Sequence, residues 1–264
     1  MLATKVAKPA REEELDLNTR YRGISLLLLT LVSLVPACRS STHSSAPAHR
    51  SPTTAAVIPL APPKAAEITV EQLELLLPRH PIVVGFDVDD TLIFSAPAFN
   101  ALQPEYEPDV IRPKDYTALT PEQKAKYHEF WNRLNGEYDD RSIAKKIGKR
   151  LLDLHLARGD DIWIISKRQS IVPAPKDDVV TRRYERMFGV KLKHPVVQTQ
   201  LKDKTPFLYA RKIEYYYGDA DGDITAAVAA GAVPIRVKRA PDSYGRDAVH
   251  NGQLGEIVIA DSER

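Results

Sequence analysis

The stretch "FDVDDTLIF", Phe86 to Phe94, sets three carboxylates, Asp87, Asp89 and Asp90, within four positions directly after the strand-forming run "PIVVGF". Like charges this close repel, so the arrangement calls for a cation, a proton or a reaction to offset them. Polar groups recur in equivalent places further along the chain. Ser166 ends the apolar run "IWIIS", and "GDADGD", with Asp219 to Asp223, follows "IEYYY". Short unbroken apolar runs suit strands buried on both faces of a parallel sheet, and such sheets bind ligands at the carboxyl ends of their strands. Acidic and hydroxyl groups are therefore expected to converge in one crevice.

The elements that must position these groups alternate between strand-like and helix-like from Ile68 onward, the pattern of parallel strands joined by helical crossovers. "TVEQLELLLPRH" reads as a short helix capped by Thr69. Arg141 to Arg158 predicts a helix with Ile143, Ile147, Leu151 and Leu154 on one face and Gly159 as its C-terminal cap. "DDVVTRRYERMF" and "ITAAVAAGA" read as further helices, with strands at "IVVGFD", Ile162 to Ser166, Ile213 to Tyr217 and "PIRVK". The basic run Thr181 to His194 reads as the solvated face of a helix. Residues 95 to 140, with their prolines and aromatics, break the rhythm and predict an inserted, mainly helical cap over one end of the sheet.

Four of these features, "DVDDT" at Asp87 to Thr91, Ser166 at a strand end, Lys204, and "GDADGD" at Gly218 to Asp223, occur in the order of the motifs of haloacid dehalogenase superfamily phosphatases, which they resemble. "VGFDVDDTLIFSAPAF", "FWNRLNGEYDDRSI", "YGDADGDITAA" and "GEIVIADSE" more closely resemble the class B nonspecific acid phosphatases of bacterial periplasm, over roughly Ile68 to Glu263. The resemblance implies an α/β, Rossmann-like parallel sheet with helices on both faces, a magnesium-dependent phosphomonoesterase and a homotetramer. By that likeness Asp87 is nucleophile and metal ligand, Asp219 a ligand, and the Asp89 carbonyl a third. The Asp89 side chain is then general acid and base, and Asp223 orients metal-bound water or Lys204. Ser166, Arg168 and Lys204, with Lys167 beside them, are expected to hold phosphate. Lys204 is preferred to Lys202 because it opens the helix "KTPFLYARK". Two positions depart from the family pattern: Ser166 stands where Thr is commoner, and Lys167 where Gly precedes the arginine. Phe99, Trp131 and Tyr244 fall in the family's aromatic substrate pocket, which suits aryl and nucleoside phosphates; ordinary cap packing is their alternative.

The 264 residues carry a net charge of only +2, too little for a nucleic-acid footprint, and no nucleic-acid polymer is expected as partner. Residues 1 to 38 hold the apolar run "ISLLLLTLVSLV" behind Arg20 and Arg22, a secretory-signal pattern. The sole cysteine, Cys38, follows it in "VPAC", which resembles a lipoprotein signal, so export to the periplasm is expected, either anchored through lipidated Cys38 or after ordinary cleavage. Residues 39 to 66 are rich in Ser, Thr, Ala and Pro and predict a disordered tether before a phosphatase domain at 67 to 264. With one cysteine there is no internal disulfide.

Other chemistries fit less well. "DADGD" begins like a calcium loop, but Ile224 stands where glycine is needed and Ala230 where the closing glutamate belongs. His128, His155, His194 and His250 are scattered without metal-ligand spacing, and His155 reads as packing. The alternatives are a class C lipoprotein phosphatase or 5′-nucleotidase, and a non-catalytic phosphate-binding lipoprotein. The last has no use for a nucleophile and an acid together.

Overall fold

The computed structural model describes residues 67–169, 178–199, 203–245 and 247–264. The signal-type segment with Cys38, the tether and Lys202 lie outside them. In chain order the elements are Glu67–Ile68 (β1), Val70–Leu76 (α1), Val83–Phe86 (β2), Ile93–Phe94 (β3), Ala96–Leu102 (α2), Pro108–Ile111 (α3), Pro121–Arg133 (α4) and Ile143–Ala144 (β4). Then follow Lys146–Arg158 (α5), Asp161–Ser166 (β5), Val179–Phe188 (α6), Val197–Gln198 (β6), Thr205–Ala210 (α7), Tyr215–Gly218 (β7), Asp221–Ala230 (α8), Val233–Val237 (β8) and Ile257–Ile259 (β9).

Seven strands form one sheet in the order β1-β9-β8-β7-β2-β5-β6, with every pairing parallel. Alternation of side chains sends β5 residues Ile162 and Ile164 to one face with Phe86, Tyr217 and helices α1, α5 and α6, and Ile165 to the other with Tyr216, α7 and α8. Both faces are thus covered, as the unbroken apolar strands require. Each fully buried large side chain in these layers contributes about 1.5–3 kcal/mol. Gly85 is needed for this packing, because a Cβ there would meet the Tyr216 ring at 2.7 Å. Within this sheet the chain runs outward from β2 through β5 to β6 and then crosses back to β7 on the other side of β2, so the crevice at the carboxyl end of β2 is a topological switch point.

Helix α1 begins at Val70 because Thr69 accepts from Gln72 N–H while Gln72 returns a bond to Thr69 N–H, a capping box. Residues 96 to 141 are largely helical and have their own apolar cluster of Ala98, Phe99, Leu102, Ile111, Phe130 and Leu134. They touch the strand ends where Asn135 donates to the Gln169 carbonyl at 2.8 Å and where Phe99 stacks on Tyr244.

Two sequence expectations fail locally. The helix expected from Arg141 begins at Lys146, because Ile143 and Ala144 pair antiparallel with Phe94 and Ile93 as a small ribbon. Ile143 therefore leaves the helical face and is exposed. The basic run from Thr181 is not wholly solvated. Arg183 is buried and donates to Asp140 Oδ1 at 2.6 Å and to the carbonyls of Asn135 and Gly136 at 2.6 and 2.9 Å. Those cap carbonyls, distant in sequence, are what draw it inward.

His155 is fully buried and satisfied, its Nδ1 2.6 Å from Asp160 Oδ2 and its Nε2 2.7 Å from the Tyr217 hydroxyl. Burial lowers its pKa, so it sits neutral in the core. It is a packing residue with two polar partners.

Candidate active site

Strand β2 ends at Phe86, and the next residue, Asp87, is fixed by its N–H donating to the Tyr217 carbonyl at 2.8 Å. The chain then turns sharply: Leu92 and Ile93 N–H donate to the Val88 carbonyl at 2.9 and 3.1 Å, and Asp90 N–H donates to Ile93 O at 2.7 Å. Asp90 takes a left-handed conformation, φ 59°, uncommon for a residue with a Cβ. This turn separates the three carboxylates. Asp87 points to Lys204, Asp89 to Arg168, and Asp90 to the Ser243 hydroxyl, which donates to its Oδ2.

Lys204, at the N-terminal cap position of α7, donates from Nζ to Asp87 Oδ1 and, at 2.7 Å, to Asp223 Oδ1. Asp223 lies in the first turn of α8, where its Oδ2 accepts from Ala220 N–H at 3.2 Å. Asp219 follows the last residue of β7. Carboxylate oxygens of Asp87, Asp219 and Asp223 all lie within 4.8 Å of one another, and all three residues are buried. Burial raises the Asp87 pKa well above the carboxylate range, with Asp223, Asp219 and Asp89 adding to the rise and Lys204 opposing it. Burial, then Asp223, pushes Asp219 up to about 7 against the pull of Arg239. Three buried acids share one ammonium, with the Arg239 guanidinium on Asp219, and their mutual repulsion shows in the raised pKa values of Asp87 and Asp219; an oxygen-only donor set of this kind suits a hard cation such as Mg2+ or Mn2+. The residues fit the implied metal.

On the opposite side of Asp87, Ser166 ends β5 and is 1% exposed, with no hydrogen-bond partner for its Oγ among the described residues. Buried hydroxyls are ordinarily hydrogen-bonded, so this one has bonding capacity for a water or a ligand oxygen. Arg168 is buried and grips Asp89 through two bonds, Nε to Oδ2 at 3.0 Å and Nη2 to Oδ1 at 2.5 Å. Its Nη1 is also 2.6 Å from Asp139 Oδ2. Burial alone would raise Asp89, but the Arg168 charge and hydrogen bonds outweigh it and hold the carboxyl below its usual value. Lys167, between the two, is exposed.

The aromatic residues meet one another. Phe99 and Tyr244 stack at 3.7 Å between centroids, Trp131 stands edge-on to Phe99 at 5.6 Å, and the Arg112 guanidinium covers the other face of Tyr244 at 3.2 Å. An aryl group can lie between Phe99 and Tyr244 only after the two rings part. His250 bonds Asp221 Oδ2 at 2.6 Å, and His194 stacks on Trp163, so neither takes part in the acidic cluster.

Several residues of the site escaped sequence reasoning. Arg239 donates from Nε to Asp219 Oδ2 at 2.7 Å, and fully buried Arg236 donates to the Asp219 carbonyl at 2.7 Å and to Asp221 and Glu256. Both lie in or just after "PIRVK", so the strand-end rule that located Ser166 applies to Arg239 as well. Asp139, paired with Arg168, has no such signal.

Comparison with known proteins completes the picture. No family model matches the chain. The class B acid phosphatase of Morganella morganii is 36% identical over 202 residues, covering 74% of this chain and 79% of that protein. The chain belongs to the class B acid phosphatase family. The class B acid phosphatase of Klebsiella pneumoniae is 36% identical over 203 residues with the same coverage, and that of Haemophilus parainfluenzae 37% identical over 203 residues, 74% of this chain and 80% of its own. The protein is accordingly a phosphoric monoester hydrolase. Among solved structures, a hydrolase from Pseudomonas syringae has a TM-score of 0.45 at 16% identity, covering 67% of this chain and 92% of its own. A haloacid dehalogenase-like hydrolase from Bacteroides fragilis scores 0.45 at 15%, covering 69% and 97%.

Proposed function

We propose that this phosphatase hydrolyses nucleotides, aryl phosphates and other small phosphomonoesters in acid, through a phosphorylated Asp87 and with bound Mg2+. The observation that carries the reading is the placement of Asp87 between a cation-seeking cluster, Asp219 and Asp223 with Lys204, and an unpartnered buried hydroxyl, Ser166. Asp87, Asp219 and Asp223, with the carbonyl of Asp89, would hold the ion. When bound, it masks the charge of Asp87 and of the phosphate so that two anions can meet.

The chain's own groups do the rest. Ser166, Lys204 and Arg168 hold the phosphate oxygens; an Asp87 oxygen attacks phosphorus as the ester oxygen departs and takes the proton of the Asp89 carboxyl. Arg168 keeps Asp89 ionised while the two are paired. A bound phosphate dianion competes for that guanidinium, and an Asp89 released from it is governed by burial, which favours the protonated acid. In the second half Asp89 takes a proton from water as the water attacks phosphorus and the bond to Asp87 breaks. Another alcohol in place of water gives phosphotransfer.

The leaving group is read as lying against Phe99, Trp131 and Tyr244, which favours aryl and nucleoside esters. A homotetramer, export to the periplasm and lipid attachment at Cys38 complete the proposal, with support from the family likeness and the N-terminal pattern. Light scattering tests the first, and detergent partition of wild type against Cys38→Ser tests the anchor. The central test is hydrolysis of p-nitrophenyl phosphate across pH with Mg2+, with EDTA, and by Asp87→Asn. Activity abolished by EDTA and by Asp87→Asn supports the reading. Activity that survives both overturns it.

A further inference from the structure

The backbone of the turn carrying Asp87 and Asp89 is held from outside by Lys145, immediately before α5. Its backbone N–H donates to the Leu92 carbonyl at 2.9 Å, and its Nζ donates to the Asp90 carbonyl at 2.6 Å and to the Lys238 carbonyl at 2.9 Å. The side chain is 2% exposed, and no carboxylate pairs with it among the described residues. Burying an ammonium that is bonded to carbonyls and to no carboxylate is costly, so its position calls for a role. Burial shows in its pKa, lowered to about 8 despite nearby Asp90 and Asp219.

What this costly group touches is informative. Asp90 is the left-handed residue of the turn, and such a conformation is strained and persists only where its surroundings over-determine it. Helix α5 lies directly on the same turn: a Cβ on Gly148 would fall 2.6 Å from the Leu92 carbonyl oxygen. The third bond of Lys145 reaches Lys238, whose neighbour Arg239 holds the Asp219 carboxylate. One side chain therefore joins the loops after β2 and β8, which carry or hold Asp87, Asp89 and Asp219.

We propose that Lys145 is a positioning residue for phosphoryl transfer: by tying the carbonyls of Asp90 and Lys238 together, it sets the directions of the Asp87 and Asp89 carboxylates and keeps Arg239 on Asp219. It rests on the proposed function in that Asp87 and Asp89 are taken as the reacting groups. Among the described residues Lys145 makes no hydrogen bond to Ser166 or Arg168, so its loss should act on turnover rather than on phosphate binding.

The test compares the full chain with Lys145→Met, which keeps length and removes the donor, and Lys145→Gln, which keeps a shorter donor. Readouts are kcat and KM for p-nitrophenyl phosphate, the unfolding midpoint, and amide hydrogen exchange over residues 87–94 and 238–240. Displacing a reacting group by an ångström costs about a hundredfold, so Lys145→Met should lose about that in kcat, and Lys145→Gln less. KM should stay within about threefold of wild type. Exchange should rise in those two segments and not in β5. Unchanged kcat and exchange overturn the proposal, as does a loss of kcat with exchange raised evenly through the molecule, which marks a structural residue. If Lys145→Met does not fold, Lys145→Gln carries the same readouts. An inactive wild-type chain would sink the proposed function instead, with the exchange comparison still deciding whether Lys145 holds the turn.

Discussion

Replacing Gly218 by alanine tests whether Asp223 must sit where it does. A Cβ at Gly218 would fall 2.2 Å from Asp223 Cβ, 2.7 Å from its Cγ and 2.8 Å from its Oδ2, where ordinary contacts begin at 3.4 Å. Moving from 2.2 to 3.4 Å requires Asp223 to retreat by 1.2 Å. Asp223 cannot do so by rotating a flexible tip, since the clash is with its own Cβ in the first turn of α8. Its 2.7 Å bond from Lys204 would stretch beyond hydrogen-bond length, and Lys204 would lose one of its two carboxylates. A shift of this size in a positioned group costs about a hundredfold in rate. The forced packing adds about 1–3 kcal/mol of destabilisation, or roughly 2–4 °C in the midpoint for each kcal/mol in a domain of this size. Gly222, four residues on, is the control, because nothing lies within 4 Å of a Cβ there. Gly222→Ala replaces glycine by alanine at the second position of α8 and should leave stability unchanged or raise it by less than about 1 kcal/mol. The assay is kcat for p-nitrophenyl phosphate and the unfolding midpoint of both variants. A folded Gly218→Ala enzyme with kcat within about twofold of wild type would refute the requirement for Asp223 in this position.

Two further substitutions probe the frame around the site. Asp160 accepts from His155 Nδ1, from Arg158 at 2.8 Å and from Ile82 N–H at 2.9 Å; burial alone would raise its pKa, and these partners together lower it. The folded state thus releases this proton more readily than the unfolded one, so the stabilisation is full above pH about 4 and is lost as pH falls through the folded value. Asp160→Asn should cost about 3 kcal/mol in denaturant unfolding at pH 7, with the difference from wild type closing in acid; a pH-independent difference contradicts the assignment. Arg236 and Glu256 both have fully buried side chains and are bonded at 3.0 and 3.1 Å. Arg236→Met should cost about 3–5 kcal/mol by stranding Glu256, and adding Glu256→Gln should recover part of it; additive losses in the double variant would show that the two do not act as a pair.

The convergence of the polar groups was legible because it obeys a local rule. Asp87, Ser166 and Asp219 each follow or end an apolar strand, and parallel strands deliver such residues to one edge of the sheet. Lys204 was legible from its place before a helix. The helix start at Lys146 was not legible, because the residues before it pair with Ile93 and Phe94, fifty residues away in sequence, and that pairing overrides a good helical pattern. Arg183 likewise looked solvated until the cap supplied it with carbonyls.

The sequence by itself determined which residue types stand at the ends of which strands, and hence a parallel α/β sheet whose carboxyl edge gathers carboxylates, a hydroxyl and a lysine. Only the tertiary structure decided how those groups are paired: Asp89 with Arg168, Asp219 with Arg239, Asp87 and Asp223 sharing Lys204, and Lys145 bridging two loops. The physical reason is range. Hydrophobic pattern and strand-end position are written within a few neighbouring residues, whereas the partner of a buried charge is chosen by folding among groups tens of residues apart, under the demand that its hydrogen-bonding capacity be met by a carboxylate or, as at Lys145, by carbonyls.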